Sequence, residues 1–589
     1  MRFFVITGVL IAALAAGIFL IVNAINGEPG DPTLQRDTAQ MLPPDPTVRL
    51  PDAEEETTGA RNAADLSADI APYATENTDP LRFGFQTDIM AGDEIVSSYS
   101  SSETITFGPG SAYTELEGII TYRGNNYRDM PGYGTVTVEQ GALELIITKN
   151  AGSIGRLGGS TATGQPLVVK WPAKLRENMT SLYEQYRAKE GFIEVIYPSL
   201  NGDIYFMELM TGDKTRDQIK TRAPVKGTAS LDPRGYPILY VGQGIQADGS
   251  DKSTKDIYMR AYSMTDNSLL MKFGYETADP FAHRNWQAYD SSPLIDAYSD
   301  TLIVPGENGI IYVCKLNTAY DPETGIVSMD MDPVKVKYRY TSPRNESASA
   351  NGRWGTSSSA VAWRDNLIFT DNAGMLQCIN LNTMELVYVN DLGDDSDATM
   401  VLEEDPSADT FYLYAGCEYD KLVRPLGESG PAYARKINGL NGEIIWEKEF
   451  SVKSDSKADG GIVAAPVLGR AGTNMDGLIV YTVTQEIKDS AATSRLVALD
   501  KNSGEQIWEY DMETSGWSPS APVSIYTQDG KGYIVQCDSA GDVALIDGAT
   551  GAEVARLNVG DPIEATPAVY GNTIVVGSAK ARIFFIRIK

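Results

Sequence analysis

The stretch Leu496–Tyr510, LVALDKNSGEQIWEY, decides the fold. An apolar run ends at Asp500, a polar turn closes on Gly504, and Trp508 follows on the returning segment. An aspartate at such a corner caps the turn, and a glycine supplies a left-handed backbone position, so the stretch reads as a β-hairpin. The same text returns as GDVALIDGATGAEV (Gly541–Val554), where Asp547 and Gly551 repeat Asp500 and Gly504. It returns again as YARKINGLNGEIIWE (Tyr433–Glu447), with Asn438, Gly442 and Trp446. Weaker copies are GMLQCINLNTMELVY (Gly374–Tyr388) and DIYMRAYSMTDNSLLMKF (Asp256–Phe273). Two more begin with an Asn-Gly turn, at Asn201–Lys214 and Asn308–Gly325.

Between these hairpins lies a second recurring unit, a short polar approach segment, then proline, then two strands. SSPLIDAYSDTLIVPG (Ser291–Gly306), SAPVSIYTQDGKGYIVQC (Ser520–Cys537) and ATPAVYGNTIVVGS (Ala565–Ser578) are clear examples, and GQPLVVKW (Gly164–Trp171) is a looser one. Each full unit therefore holds four short strands in about 40 to 70 residues. One such sheet cannot bury both of its faces, and radial stacking of several solves that problem. The expected fold is all-β, an eight-bladed β-propeller of four-stranded antiparallel blades over residues 141–589; seven blades is the alternative. ARIFFIRIK (Ala581–Lys589) lacks an outer strand, and GALELIITKN (Gly141–Asn150) supplies one, so the two are expected to share a blade and close the ring.

Composition agrees with a β-rich protein. The 589 residues include 55 Gly, 30 Pro and 31 Tyr, with 42% hydrophobic residues. A formal net charge of −30 argues against nucleic acid and anionic surfaces as partners. The four cysteines, Cys314, Cys378, Cys417 and Cys537, form no paired motif and read as buried free thiols. His283 is the chain's one histidine, which excludes a multi-histidine metal site.

The amino terminus has a different character. Arg2 precedes a nearly unbroken apolar run from Phe3 to Val22, long enough to span a bilayer, and acidic residues follow it. Residues 1–25 are expected to form a transmembrane signal anchor that holds the body outside the cytoplasm, with a cleaved signal as the alternative. Residues 26–83, rich in proline and acidic residues, read as a disordered linker. Residues 84–140 read as a lead-in segment against the propeller.

Candidate site residues come from the approach segments, which an inner strand follows toward the axis. Three carry tryptophan at nearly one offset: Trp286 in HRNWQAYDSSP, Trp354 in NGRWGTSSSA and Trp517 in SGWSPSAP. His283, Arg284 and Arg353 accompany them, and Arg156 stands in the matching place of the first unit. Indoles and guanidinium groups around one mouth would suit a peptide, a glycan or a carboxylate. TYRGNNYRDMPGYG (Thr121–Gly134) adds Arg123, as a contact near the mouth or as a lead-in whose arginines pair with acidic neighbours. Acidic runs such as DDSD (Asp394–Asp397) and DMD (Asp330–Asp332) read as solvated loops.

The ALDKNSGEQIW, SAPV and ATPAV motifs resemble the pyrroloquinoline-quinone-like propeller family, most strongly over the last 150 residues. That family includes quinoprotein dehydrogenases and BamB-type envelope scaffolds, so the resemblance implies fold more than function. Its enzymes pair adjacent cysteines over a quinone and hold calcium with acidic and amide ligands. This chain has neither adjacent cysteines nor a CxxCH haem motif. The expectation is a non-catalytic scaffold at the bacterial cell envelope, without cofactor or catalytic metal, binding an envelope protein or a cell-surface glycan. A glycan-cleaving propeller and a quinone-dependent dehydrogenase remain as alternatives.

Overall fold

The structure is a computed structural model that describes residues 66–589 apart from 155–156, 159–163, 222, 245–256, 275–278, 285, 347–352, 421–426, 456–457, 489–490 and 514–516. The expected membrane anchor at residues 1–25 lies outside the described residues, among which no helix is long and apolar enough to cross a membrane.

Four-stranded antiparallel units succeed one another along the chain, each named here by its first residue. The Leu167 sheet runs Leu167–Lys170, Glu194–Pro198, Asp203–Glu208 and Ile219–Lys220, each strand paired with the next. The Ser230, Leu294 and Val361 sheets follow the same order. The Val401 and Val467 sheets do so too, and their long strands touch at Val452↔Glu486. The Val523 sheet comes next, and then the Ala568 sheet, which contains Ala568–Tyr570, Thr573–Gly577 and Arg582–Ile588. Its fourth strand is Leu143–Asn150, drawn from the other end of the fold and paired with Arg582–Ile588 from Arg582↔Asn150 to Ile588↔Leu143. This is the terminal pairing that the two orphan strands demanded.

Strand periodicity explains how the sheets associate. Successive side chains point to opposite faces, so one strand serves two neighbours. Val497 and Leu499 pack with Ile479 and Tyr481 against Ala432, Ala434 and Phe450 of the Val401 sheet. Their neighbours Leu496 and Ala498 pack against Ile534, Ala544 and Ile546 of the Val523 sheet. The Ala568 sheet likewise buries Val575 and Phe585 against Val168 and Val195 of the Leu167 sheet. The last sheet therefore covers the first.

The recurring turn has a second task. The Asp500 carboxylate accepts from Asn502 N at 2.9 Å and Ser503 N at 2.8 Å, and Gly504, at φ +73°, donates back to Asp500 O. Trp446 of the preceding sheet lies on that glycine, where an added Cβ would stand 2.8 Å from its ring, and its Nε1 donates to Lys501 O at 3.1 Å. Trp508 covers Gly551 in the same way, at 2.5 Å from such a Cβ. Tyr388 covers Gly442, and at the closure Ile147 covers Gly212. Along the Val361, Val401, Val467 and Val523 sheets, an aromatic of one hairpin thus rests on the turn glycine of the next.

The lead-in segment is threaded through this frame. Gln86–Ala91 and Glu94–Val96 form a hairpin added to the outer edge of the Leu294 sheet. Glu117–Ile119 joins the inner edge of the Leu167 sheet, and Gly132–Tyr133 pairs in parallel with Val569–Tyr570. Of the linker expected over 26–83, residues 26–65 lie outside the described residues, and the rest is docked on the fold. Within 66–83, Leu66 and Ile70 pack on the core near Val361, Tyr73 N donates to Leu440 O, and Arg364 donates to the carbonyls of Leu66 and Ser67. A few apolar residues spaced through a polar stretch suffice to dock it.

Gly504→Ala places a methyl group against Trp446 in a left-handed backbone, and the expected loss is about 2–4 kcal/mol, read from the denaturant midpoint. The double variant Gly504→Ala/Trp446→Ala is expected to lose less than the sum of the two single changes, as residues in contact do.

Candidate functional site

The approach segments of successive sheets converge on one cavity of about 350 Å³. Gly164, Gly227, Asp290, Ser359, Thr399, Ala464, Pro519 and Thr566, one from the approach to each sheet, all line it. Pro166, Pro293, Pro466, Pro522 and Pro567 end five of these segments, where they prevent helix and start the inner strands.

The segment Thr121–Pro131 bounds this cavity and, together with Gln165, reaches the start of every sheet. Gln165 Nε2 donates to Pro131 O at 2.8 Å and Pro567 O at 3.0 Å, while Thr121 Oγ1 and Ser230 Oγ lie 2.8 Å apart. Arg128 reaches Ser292 O at 3.1 Å and Ala360 O at 3.1 Å, and Leu402 N donates to Tyr127 O at 3.0 Å. Arg123 donates to Pro522 O at 3.1 Å and also to Pro466 O. Both arginines are fully buried, and burial lowers each guanidinium pKa to about 10. Their partners are mainly carbonyls at the starts of inner strands, rather than the acidic side chains the sequence suggested. A carbonyl cluster suits five fixed N–H donors that a carboxylate would not exhaust. Arg123 is thus a structural bolt, not a contact at the mouth. Tyr122 lines the cavity, whereas Tyr127 and Asp129–Gly132 line a second one of about 340 Å³. The segment floors the first cavity as a cup.

The cup is acidic. Asp290, Asp395, Asp397, Glu418, Asp420 and Asp459 line it, against the single ammonium of Lys226 among the described lining residues. Lys226 Nζ meets Asp290 Oδ2 at 3.0 Å, and that carboxylate holds the ammonium pKa above its ordinary value. Burial and then the neighbouring Asp397 push the Asp395 carboxyl well up; burial, Asp397 and Asp395 do the same to Glu418. Carboxylate oxygens of Asp395, Asp397 and Glu418 all lie within 4.8 Å of one another, a set of hard oxygen donors suited to a divalent cation or to a cationic side chain. The DDSD run is therefore not the solvated loop its composition suggested: Asp394 is buried on Arg353, and Asp395 and Asp397 face the cup. Asp330 and Asp332 of the DMD run sit at the surface with Asn317 and Lys335.

The tryptophan and arginine candidates divide. Trp517 is half-buried and lines the cup. Trp354 packs beneath the backbone at Gly309, and the exposed ring of His283 lies 5.4 Å from it. Burial and Arg339 lower the His283 pKa. Arg284 donates to Trp354 O at 2.6 Å and Glu307 Oε2 at 3.2 Å, and its guanidinium stacks 4.5 Å over Trp286. Arg353 pairs with Asp394 at 3.1 Å and Asp420 at 3.0 Å; burial would lower its pKa, but Asp395, Asp394 and Asp420 outweigh it. Arg156 lies outside the described residues. The guanidinium groups thus neutralise carboxylates around the cup, which remains acidic. Sequence reasoning missed Glu418 and Asp459, because each is one acidic residue among 79. A larger cleft of about 820 Å³, between Leu81, Ile95 and Leu386, gathers no comparable charge cluster.

Converging approach segments on stacked antiparallel sheets define the class of fold, a β-propeller, and the likeness to a known repeat family is carried by its last sheets. Residues 492–589 match the family described as outer membrane protein assembly factor BamB. Among solved structures, the quinohemoprotein alcohol dehydrogenase of Pseudomonas putida HK5 is similar at 12% identity and a TM-score of 0.51, over 81% of each chain. A europium-containing methanol dehydrogenase is similar at 12% identity and 0.50, over 81% of this chain and 99% of its own. BamB from Moraxella catarrhalis is 14% identical, over 76% of this chain and 99% of its own, with a TM-score of 0.45. At such identities the likeness to the two dehydrogenases concerns the fold alone. No curated protein matches the chain.

Arg128→Met leaves several buried carbonyls without donors and is expected to cost about 3 kcal/mol or more of stability, measured by chemical denaturation. Trp354→Ala is expected to lower the melting temperature by several degrees, at about 2–3 kcal/mol for a partly buried indole. Trp517→Ala should leave the melting temperature nearly unchanged.

Proposed function

We propose that this protein is an eight-bladed propeller serving as a non-catalytic, protein-binding scaffold of the bacterial cell envelope. Its apolar start tethers it to the membrane, and its body stands outside the cytoplasm. The observation that carries the binding reading is the cup: approach segments from every sheet line one side of the floor at Thr121–Pro131. A blind recess with a broad rim suits a protein partner that inserts one element and rests on the surrounding loops.

The chemistry of the residues supports binding over catalysis. All four thiols are buried, and burial raises each thiol pKa, to about 12 for Cys314, which leaves them poor nucleophiles. His283 lies tilted against Trp354, is exposed, and is not among the residues that line the cup. A glycan is the second reading, favoured by Trp517 and Tyr122 in the lining, since sugar rings stack on aromatic faces.

Crosslinking in intact cells, followed by capture of the full-length chain, tests the reading. A protein is expected with the natural chain and is expected to be lost with Trp517→Ala/Asp397→Asn, after that variant is verified as folded. Capture that the variant leaves unchanged, or glycan binding with no protein partner, overturns it.

A further inference from the structure

We propose that the acidic cup binds an organic cation, an ammonium or guanidinium group on an aliphatic stem. This is the chemistry of lysine and arginine side chains and of free polyamines. The proposal rests on the scaffold reading in one respect: the group is taken to be presented by the partner.

Three observations carry it. The first is charge at the cup that the described residues do not balance. Lys226 is committed to Asp290 and Arg353 to Asp394 and Asp420, which leaves the Asp395, Asp397 and Glu418 group in excess. Arg353 reaches that group only at 3.6 Å from Asp395. The second is Glu418 itself. It is 3% exposed and lines the cup, yet its carboxylate accepts no hydrogen bond and makes no ion pair among the described residues. A buried carboxylate left so is costly, and a cation donating to it removes the cost. Ser357 Oγ donates to Asp397, so that carboxylate is already oriented.

The third observation is the rest of the wall. Val463, Ala464, Ala465 and Pro519 are apolar, and Trp517 and Tyr122 add aromatic groups. Apolar walls accommodate a methylene stem, and aromatic faces attract the charge it carries. The volume, about 350 Å³, lies in the range of small organic ligands and far exceeds a bare ion. Charge, an unpaired carboxylate and a half-apolar wall together specify a cation with a carbon stem.

The test uses the full-length chain at low ionic strength, with four probes: a glycine-flanked arginine pentapeptide, agmatine, spermidine and calcium chloride. Melting temperature and tryptophan emission are read for the natural chain, Glu418→Gln and Asp397→Asn. Organic cations are expected to raise the melting temperature and change the emission, and each variant is expected to weaken binding at least tenfold. Each variant's own melting temperature separates a lost site from a lost fold, and the two variants cover one another. Tighter binding of the peptide assigns the group to a protein, and tighter binding of spermidine assigns it to a free polyamine. A response to calcium alone, no response at all, or unchanged binding in both folded variants overturns the proposal. If organic cations fail while partner capture still depends on the cup, the ligand class falls and the scaffold stands. If they bind while capture ignores the cup, the scaffold reading falls and the site stands.

Discussion

The contact between an aromatic residue of one sheet and the turn glycine of the next is the constraint on which the architecture depends. A left-handed glycine closes the hairpin and also leaves a flat patch that only a residue without Cβ can offer. Trp446 on Gly504 and Trp508 on Gly551 fill such patches, and at the closure Ile147 does the same on Gly212. The contact fixes the lateral position of each sheet on its neighbour, because a shift by one residue would set a side chain against the ring. With that position fixed, the alternating faces of one strand meet two different sheets, as Leu496 and Val497 do. Local turn chemistry and long-range packing are here one interaction.

The same geometry creates a difficulty where the inner strands converge. Their first residues present carbonyls that need donors from outside the strand ladder, and buried carbonyls without donors are costly. The chain answers with Arg123 and Arg128, each of which donates to carbonyls of two sheets, and with Asn126 and Gln165, which donate to Ala362 O and Pro567 O. Satisfying the backbone in this way also closes one end of the recess. Structure and binding site are therefore linked: the residues that stabilise the centre are the ones that make a cup of it.

The cup combines a stable scaffold with an electrostatic cost. Setting Asp395 and Glu418 beside Asp397 raises the proton affinity of Asp395 and Glu418, first through burial and then through the neighbouring carboxylates. The surrounding guanidinium groups relieve part of this cost without touching all of it.

The hairpin text around Asp500 and Gly504, the approach prolines and the strands left over at the two ends were legible in the sequence, because each is a local signal with a short period. They specified an all-β repeat fold, and the pairing of Leu143–Asn150 with Arg582–Ile588 followed from the cost of an open sheet edge. The aromatic ring expected at the mouth was legible only as a set of offsets. Trp517 reaches the cup, while Trp354 is held under Gly309 and Arg353 is taken up by Asp394 and Asp420. Likewise Arg123 and Arg128 look in the text like a polar recognition loop, and burial makes them bolts. The sequence by itself determined the repeating strands and turns, because backbone geometry and hydrophobic period act between neighbours along the chain. Only the tertiary structure decided which of many carboxylates converge, since Asp290, Glu418 and Asp459 meet through the stacking of separate sheets and share no spacing that the chain could spell.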